Sequence, residues 1–292
     1  MRVTGVDQPI VTIVPDSGRS LLGEGSLWSA REGAVFWVDI LGHRLHRLAL
    51  DGGGVTSWDM PEPIGWVIER RDAPGFIAGF MSGFAELDLA PFAIRPILNP
   101  EPDRPDNRMN DAKADCAGRI WAGTMPFSCE GKTGALYRMD ADRRCTRADA
   151  PYTIANGPAI APDGRSMFHT DTALRTIFRF DIHDYGTLGP RMPHIVFEHG
   201  WGNPDGMTLD ADGCLWVAQW GRGQVSRFDP AGYRMRAIDL PASQITSMTF
   251  AGEALNRMFV TSAADGVDEE AAGALFEVDP GCRGLPTMQF AG

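Results

Sequence analysis

The chain has 292 residues, with 27 Lys+Arg against 38 Asp+Glu and a net charge of -11 spread along its length. That balance disfavours nucleic acid and anionic membrane surfaces as partners, and no apolar run approaches the ~18 residues that cross a bilayer. With 34 Gly and 21 Pro, and no sustained helical periodicity, the composition points to many short strands.

The N-terminal Met1-Arg2-Val3-Thr4 lacks the basic and apolar regions of a signal peptide, so the expected compartment is the cytoplasm. Cys116, Cys129, Cys145, Cys214 and Cys282 are odd in number and form no C-x-x-C pair, which fits reduced, unpaired thiols.

In chain order, the first unit runs Gly23 to Trp28, turns at Arg31-Glu32-Gly33, continues as Ala34 to Asp39 and returns as Arg44 to Leu48. Each apolar run has strand length and a glycine turn follows it, which is the pattern of a β-meander. The pattern returns five more times, with second strands at Ile77, Ile120, Met167, Leu215 and Met258 after Phe36 in the first copy. Successive separations are about 41, 43, 47, 48 and 43 residues, the span of a four-stranded propeller blade. The prediction is an all-β, six-bladed β-propeller with four-stranded blades, forming one domain over residues 1–292. Such rings close by pairing the two chain ends in one blade, and Ile10 to Val14 is the expected partner of the last copy.

Two connections depart from the repeat. Asn99 to Asn107 is proline-rich and leads straight into Arg108, and Pro126 to Thr133 follows Met125. Long loops on either side of one polar segment are expected to lie over a site.

Polar residues recur at the start of the innermost strands, which line the channel of a propeller. Asn110, Asn156 and Asp205 each stand eleven positions ahead of a second-strand residue, Trp121, Met167 and Trp216, and Glu24 fits with one extra residue, counted to Phe36. The repeated register predicts that two carboxylates and two amides meet near the axis, although Asn and Asp beside Gly or Pro are also common turn formers. Like charges packed in a channel are costly unless a cation joins them, and oxygen donors without sulfur suit a hard divalent ion.

These residues also carry a family resemblance. Leu22-Gly23-Glu24-Gly25-Ser26-Leu27-Trp28, Arg108-Met109-Asn110-Asp111 with Gly118 to Met125, Gly134-Ala135-Leu136-Tyr137, Asn156-Gly157-Pro158 and Pro204-Asp205-Gly206-Met207 resemble the SMP-30/gluconolactonase/regucalcin family over nearly the full chain. The resemblance implies a six-bladed propeller that hydrolyses a sugar-acid lactone and holds one divalent cation, calcium first, with Mg, Mn, Zn or Fe(II) as alternatives. It implies Glu24, Asn156 and Asp205 as metal ligands, and Arg108 and Asn110 as substrate contacts. Some members carry an acid three positions after the Gly-Thr-Met segment, where this chain has Ser128, with Glu130 the nearest acid. Asp111 follows the motif without an assigned role.

In the mechanism this suggests, the cation polarises the lactone carbonyl, Arg108 and Asn110 orient the ring, and Asp205 takes the proton of the attacking water. The expected partner is a small-molecule sugar lactone, and the expected state is a monomer or weak homo-oligomer. The rival readings are a metal-dependent phosphotriesterase or arylesterase, and a non-catalytic calcium-binding propeller. His169 is expected to bond Asp171, and Trp66 and Trp220 to flank the pocket mouth.

Overall fold

The computed structural model describes residues 9–292; Met1 to Thr4, read above for a targeting signal, lies outside the described residues. The alternation of side chains along each strand decides the architecture. Trp66 and Ile68 pack toward the third meander, with Met109, Ile120 and Met139, while Ile64 and Val67 pack toward the first, with Phe36, Val38 and Leu45. Strands buried on both faces read as continuous apolar runs, and here each face serves a different neighbour.

The same division holds around the ring. Trp121 and Tyr152 meet Met167 and Phe178, Phe168 and Ile177 meet Met207 and Phe228, Trp216 and Val225 meet Ile245 and Phe276, and Phe259 returns to Trp28 and Trp37. Six apolar seams therefore join six antiparallel sheets, each of four strands. The six-bladed propeller is thus observed, with all six second strands where the repeat placed them. The expected closure is present: Val11–Ile13 is the outermost strand of the sixth blade, paired antiparallel to Phe276–Val278.

The innermost strands of the six blades are Gly23–Ser29, Ile64–Glu69, Asn107–Ala114, Ala155–Ile160, Asn203–Leu209 and Ile245–Ala251. Every one is interrupted by a register shift against its second strand, at Gly25-Ser26, Gly65, Asn110-Asp111, Gly157-Pro158, Asp205-Gly206 and Thr246-Ser247. A bulge adds unpaired residues, bends the strand and re-aims side chains. Backbones pass close at these points: a Cβ on Gly65 would lie 2.7 Å from the Asn110 carbonyl oxygen, and one on Gly206 2.7 Å from that of Thr246.

Buried aspartates brace the hairpins below. Asp115 accepts from Trp121 Nε1 at 2.8 Å and Arg119 Nε at 2.7 Å, and Asp210 accepts from Trp216 Nε1 at 2.9 Å and Arg227 Nε at 2.7 Å. At that end of the channel the C-terminal segment crosses the ring. Gly284 N donates to Leu255 O, Leu285 to Met288 border a cavity with Lys113, Met207 and Met248, and Phe290 is fully buried against the second and third blades. No helix among the described residues is long and apolar enough to cross a membrane, and all five cysteines are free.

Candidate active site

The bulges gather the polar residues predicted from sequence, with one difference in register. Asn110 and Asp205 are the first unpaired residues of their bulges, whereas Glu24 and Asn156 are the last paired residues before theirs, opposite Val38 and Thr170. The equal spacing of eleven therefore does not mean equal positions. The hairpin of the fourth blade is one residue shorter, with Ala159 opposite Phe168 where the third blade sets Ala112 opposite Ala122, so the same count lands Asn156 one step earlier. Ser247 falls on the second bulge residue and bonds Ser26 Oγ at 3.1 Å.

Glu24, Asn156, Asp205, Arg108, Asn110 and Asp111 are all buried, between 1% and 6% exposed. Asn110 Nδ2 donates to Asn156 Oδ1 at 2.7 Å and to Ala155 O at 2.7 Å, while its Oδ1 accepts from Arg108 Nη1 at 2.6 Å. Both protons of the Asn110 amide are thus consumed inside the protein, and only an oxygen lone pair remains for a substrate hydroxyl. Asp111 points elsewhere: its Oδ2 accepts from Gly157 N at 3.1 Å and its Oδ1 from Ala112 N at 2.7 Å. Adjacent residues of the third blade therefore hold Asn156 and Gly157 of the fourth.

The carboxylates stand in a poorly solvated cluster. Burial, then the charge of Asp111, pushes Glu24 up to about 8, and burial, then the charges of Glu24 and Asp111, raises Asp205 well above the usual carboxylate range. Arg108 and the bulge amides offset this only in part. Glu24 Oε2 accepts from Gly25 N at 3.0 Å, and Asp205 Oδ1 is buried without a hydrogen-bond partner among the described residues. Burial also lowers the pKa of the Arg108 guanidinium, against the charges of Cys129, Glu24 and Asp205.

This donor set fits a hard divalent cation. Among the described residues no three His, Cys, Asp or Glu side chains are grouped for a metal, and a cation here would have to be held by Glu24 and Asp205 with the Asn156 amide oxygen. The orphaned Asp205 oxygen and two carboxylates driven toward protonation are what a buried cation would relieve.

Arg108 also opens toward a cavity of about 250 Å³ that it shares with Glu62, Ser82, Glu101, Asn107 and Thr124. Its Nη1 bonds Asn110 and the Met109 carbonyl, whereas Nε and Nη2 have no partner among the described residues. The loop from Asn99 to Asn107 lines it, while the loop from Pro126 to Thr133 contributes no lining residue and touches Asn107 and Arg108 beside it. Glu101 accepts from Asn107 Nδ2 at 2.8 Å and Tyr137 OH at 2.9 Å, Thr133 Oγ1 donates to Asn107 Oδ1 at 2.7 Å, and the Phe127 ring lies 5.9 Å from the Arg108 guanidinium carbon. Ser128 and Glu130 are exposed, and Glu130 N bonds Ser128 Oγ at 3.3 Å.

Two sequence expectations fail. Trp66 is 1% exposed in the seam between the second and third blades, so it does not flank the mouth; its ring packs over Gly79, whose missing side chain leaves the room. His169 does not bond Asp171, whose carboxylate instead accepts from Thr153 N, Ile154 N and Ala173 N. Both His169 ring nitrogens lack partners among the described residues, and burial lowers its pKa to about 3. Thr172 was missed altogether; it accepts from Asn156 Nδ2 at 2.9 Å, and nothing in its local sequence marks it.

The family described as SMP-30/Gluconolactonase/LRE-like region matches residues 22–264. The chain is 34% identical over 290 residues to the L-arabinolactonase of Azospirillum brasilense, covering 96% of this chain and 95% of that protein. It is 34% identical over 281 residues to the 6-deoxy-6-sulfogluconolactonase of Pseudomonas putida, covering 94% and 96%. Among solved structures, the calcium-binding protein regucalcin from Agrobacterium tumefaciens superposes with a TM-score of 0.88 at 29% identity, covering 95% of this chain and 97% of that one. With six blades, a polar cluster on the bulged inner strands and a family match over most of its length, the chain belongs to the SMP-30/gluconolactonase/LRE-like family.

Proposed function

We propose that the chain is a lactonase that hydrolyses a sugar-acid lactone to the free aldonic acid, with a divalent cation held by Glu24, Asn156 and Asp205. The observation that carries this reading is the buried Arg108, with Nε and Nη2 free of partners among the described residues, set beside the buried carboxylates of Glu24 and Asp205, the latter with an oxygen that has no hydrogen-bond partner among them. A site that only stored an ion has no need of a cation next to it. The lactonase names of relatives at 34% identity support the reaction class, and the calcium-binding structural relative supports a divalent ion. Calcium is the first choice for these hard oxygen donors, ahead of Mg, Mn, Zn or Fe(II).

When bound, such an ion supplies Lewis-acid polarisation of the lactone carbonyl. The chain's own residues do the rest. Arg108 directs its two free nitrogens, Nε and Nη2, at substrate oxygens, held in place by Asn110 through Nη1. Asn110 adds at most an acceptor for a substrate hydroxyl. Asp205 presents an unpaired carboxylate oxygen and accepts the proton of the attacking water. The cavity beside Arg108, at about 250 Å³, is somewhat smaller than whole-ligand pockets, and it takes part of a sugar ring and its hydroxyls. We place the activity in the cytoplasm, in a monomer or weak homo-oligomer.

A panel of five- and six-carbon aldonolactones, set beside an aryl ester and a phosphotriester, tests the reaction class. Turnover of lactones at least tenfold above the other two is expected. Preference for the aryl ester or phosphotriester overturns the reading.

A further inference from the structure

One hydrogen-bonded chain crosses three blades, and its direction is fixed at both ends. Arg108 carries only donors, and the backbone oxygen of Pro204 only accepts. Between them run Arg108 Nη1 to Asn110 Oδ1 at 2.6 Å, Asn110 Nδ2 to Asn156 Oδ1 at 2.7 Å, Asn156 Nδ2 to Thr172 Oγ1 at 2.9 Å, and Thr172 Oγ1 to Pro204 O at 2.7 Å. A hydroxyl has one proton. Since Thr172 spends it on Pro204, its oxygen must accept from Asn156, which must turn its NH₂ group toward Thr172. The Asn156 oxygen then faces Asn110, whose NH₂ meets it, and the Asn110 oxygen is left for Arg108. Flipping either amide sets donor against donor or acceptor against acceptor.

Thr172 is itself held firmly. It opens a 3-10 turn, Thr172–Leu174, capped by the side chain of Asp171, and its backbone N donates to Ile154 O at 2.9 Å. Asp171 also accepts from Thr153 N at 3.0 Å and Ile154 N at 3.1 Å. Thr172 is 7% exposed, so water does not readily replace it, and the carbonyl it grips belongs to the residue before Asp205.

We propose that Thr172 is a positioning residue for the cation site, and this rests on the reading of Glu24, Asn156 and Asp205 as its ligands. By claiming the Asn156 NH₂ group, Thr172 commits the amide oxygen to the cation and keeps a positively polarised NH₂ out of the coordination shell. By holding Pro204 O, it ties the fourth blade to the fifth immediately before Asp205. The Asn156 oxygen has two lone pairs, one taken by Asn110 and one left for an ion. Partners of this kind typically change metal affinity or activity by about 10- to 100-fold when removed.

The test is calorimetric titration of Ca²⁺ and Mn²⁺ into cation-free wild type, Thr172→Val and Thr172→Ser, with thermal melting of each. Thr172→Val keeps the shape and loses the hydroxyl, and at least tenfold weaker binding is expected. Thr172→Ser restores the hydroxyl and should bind within about threefold of wild type. At saturating cation, Thr172→Val should recover most of its kcat with KM little changed. Should Thr172→Val fail to fold, Thr172→Ala carries the same comparison. Wild-type affinity in a folded Thr172→Val, or Thr172→Ser as weak as Thr172→Val, overturns the role of Thr172 alone. Absence of binding to wild type overturns the ligand assignment and this proposal with it.

Discussion

Asn110 of the third blade donates its amide to Asn156 Oδ1 in the fourth blade at 2.7 Å, which joins the side chain that holds Arg108 to a proposed cation ligand. Substrate and cation sites therefore share one amide. Asn110→Ala releases Arg108 and Asn156 together, and it should lower kcat/KM for the preferred lactone and weaken cation binding, each by about 10- to 100-fold. Steady-state kinetics and calorimetry on one preparation check this. A fall in kcat/KM with unchanged cation affinity would confine Asn110 to the substrate side.

Glu24 makes cation binding depend on pH. Its carboxyl is raised from 4.5 to about 8 by burial and the Asp111 charge, so in the cation-free protein the neutral form is favoured across that window. A ligand must be deprotonated to bind, so binding releases protons. The stability that the protonated form lends the cation-free fold is full below 4.5 and is lost as pH rises through about 8, whereas cation affinity rises over the same range. Titrations at pH 6, 7 and 8 in buffers of different ionisation enthalpy should show tightening affinity and proton release. Affinity that does not change with pH would count against Glu24 as a ligand.

Asp205 is assigned two tasks, holding the ion and accepting a proton. Asp205→Asn keeps the size of the side chain and removes the base, and kcat should fall by roughly 10²- to 10⁴-fold even at saturating cation. Full turnover in a variant shown to hold the ion would return the proton-accepting role to another group.

His169 sets an acid limit on stability. Its pKa is lowered from 6.5 to about 3 by burial, so the stability it contributes is present above 6.5 and is lost as pH falls toward 3. His169→Met substitutes an apolar side chain for a ring whose nitrogens have no partners. Urea midpoints at pH 7 and pH 4.5 should show the variant losing less stability on acidification than wild type. An equal loss in both would assign the acid limit to other groups.

The fold was legible where burial acts on both faces of a strand. Second strands such as Ala34–Asp39 and Leu215–Trp220 are fully or almost fully buried, and their apolar runs gave the repeat. Fourth strands such as Cys145–Tyr152 were not legible, because they lie at blade edges and mix Arg147 and Asp149 with exposed positions. Spacing picked out Glu24, Asn110, Asn156 and Asp205 as a converging set and the family resemblance singled out the ligands among them, although the bulges and the shorter fourth hairpin mean that equal spacing did not give equal positions. Thr172 left no trace because it acts from a 3-10 turn behind the second strand and reaches the site through a single hydroxyl. The C-terminal crossing was equally silent, since Gly284 and Ala291 make their contacts through backbone atoms.

Cation-dependent lactone hydrolysis at the bulged inner strands is read most directly as acid release by pH-stat on the preferred aldonolactone. The rate is read in native protein, after chelation with removal of bound metal verified, and after adding back Ca²⁺ or Mn²⁺. The expected result is loss of turnover on chelation, recovery on addition, and no recovery in Asp205→Asn. Undiminished hydrolysis by verified cation-free protein would overturn the role of the cation and of Glu24, Asn156 and Asp205 as its ligands.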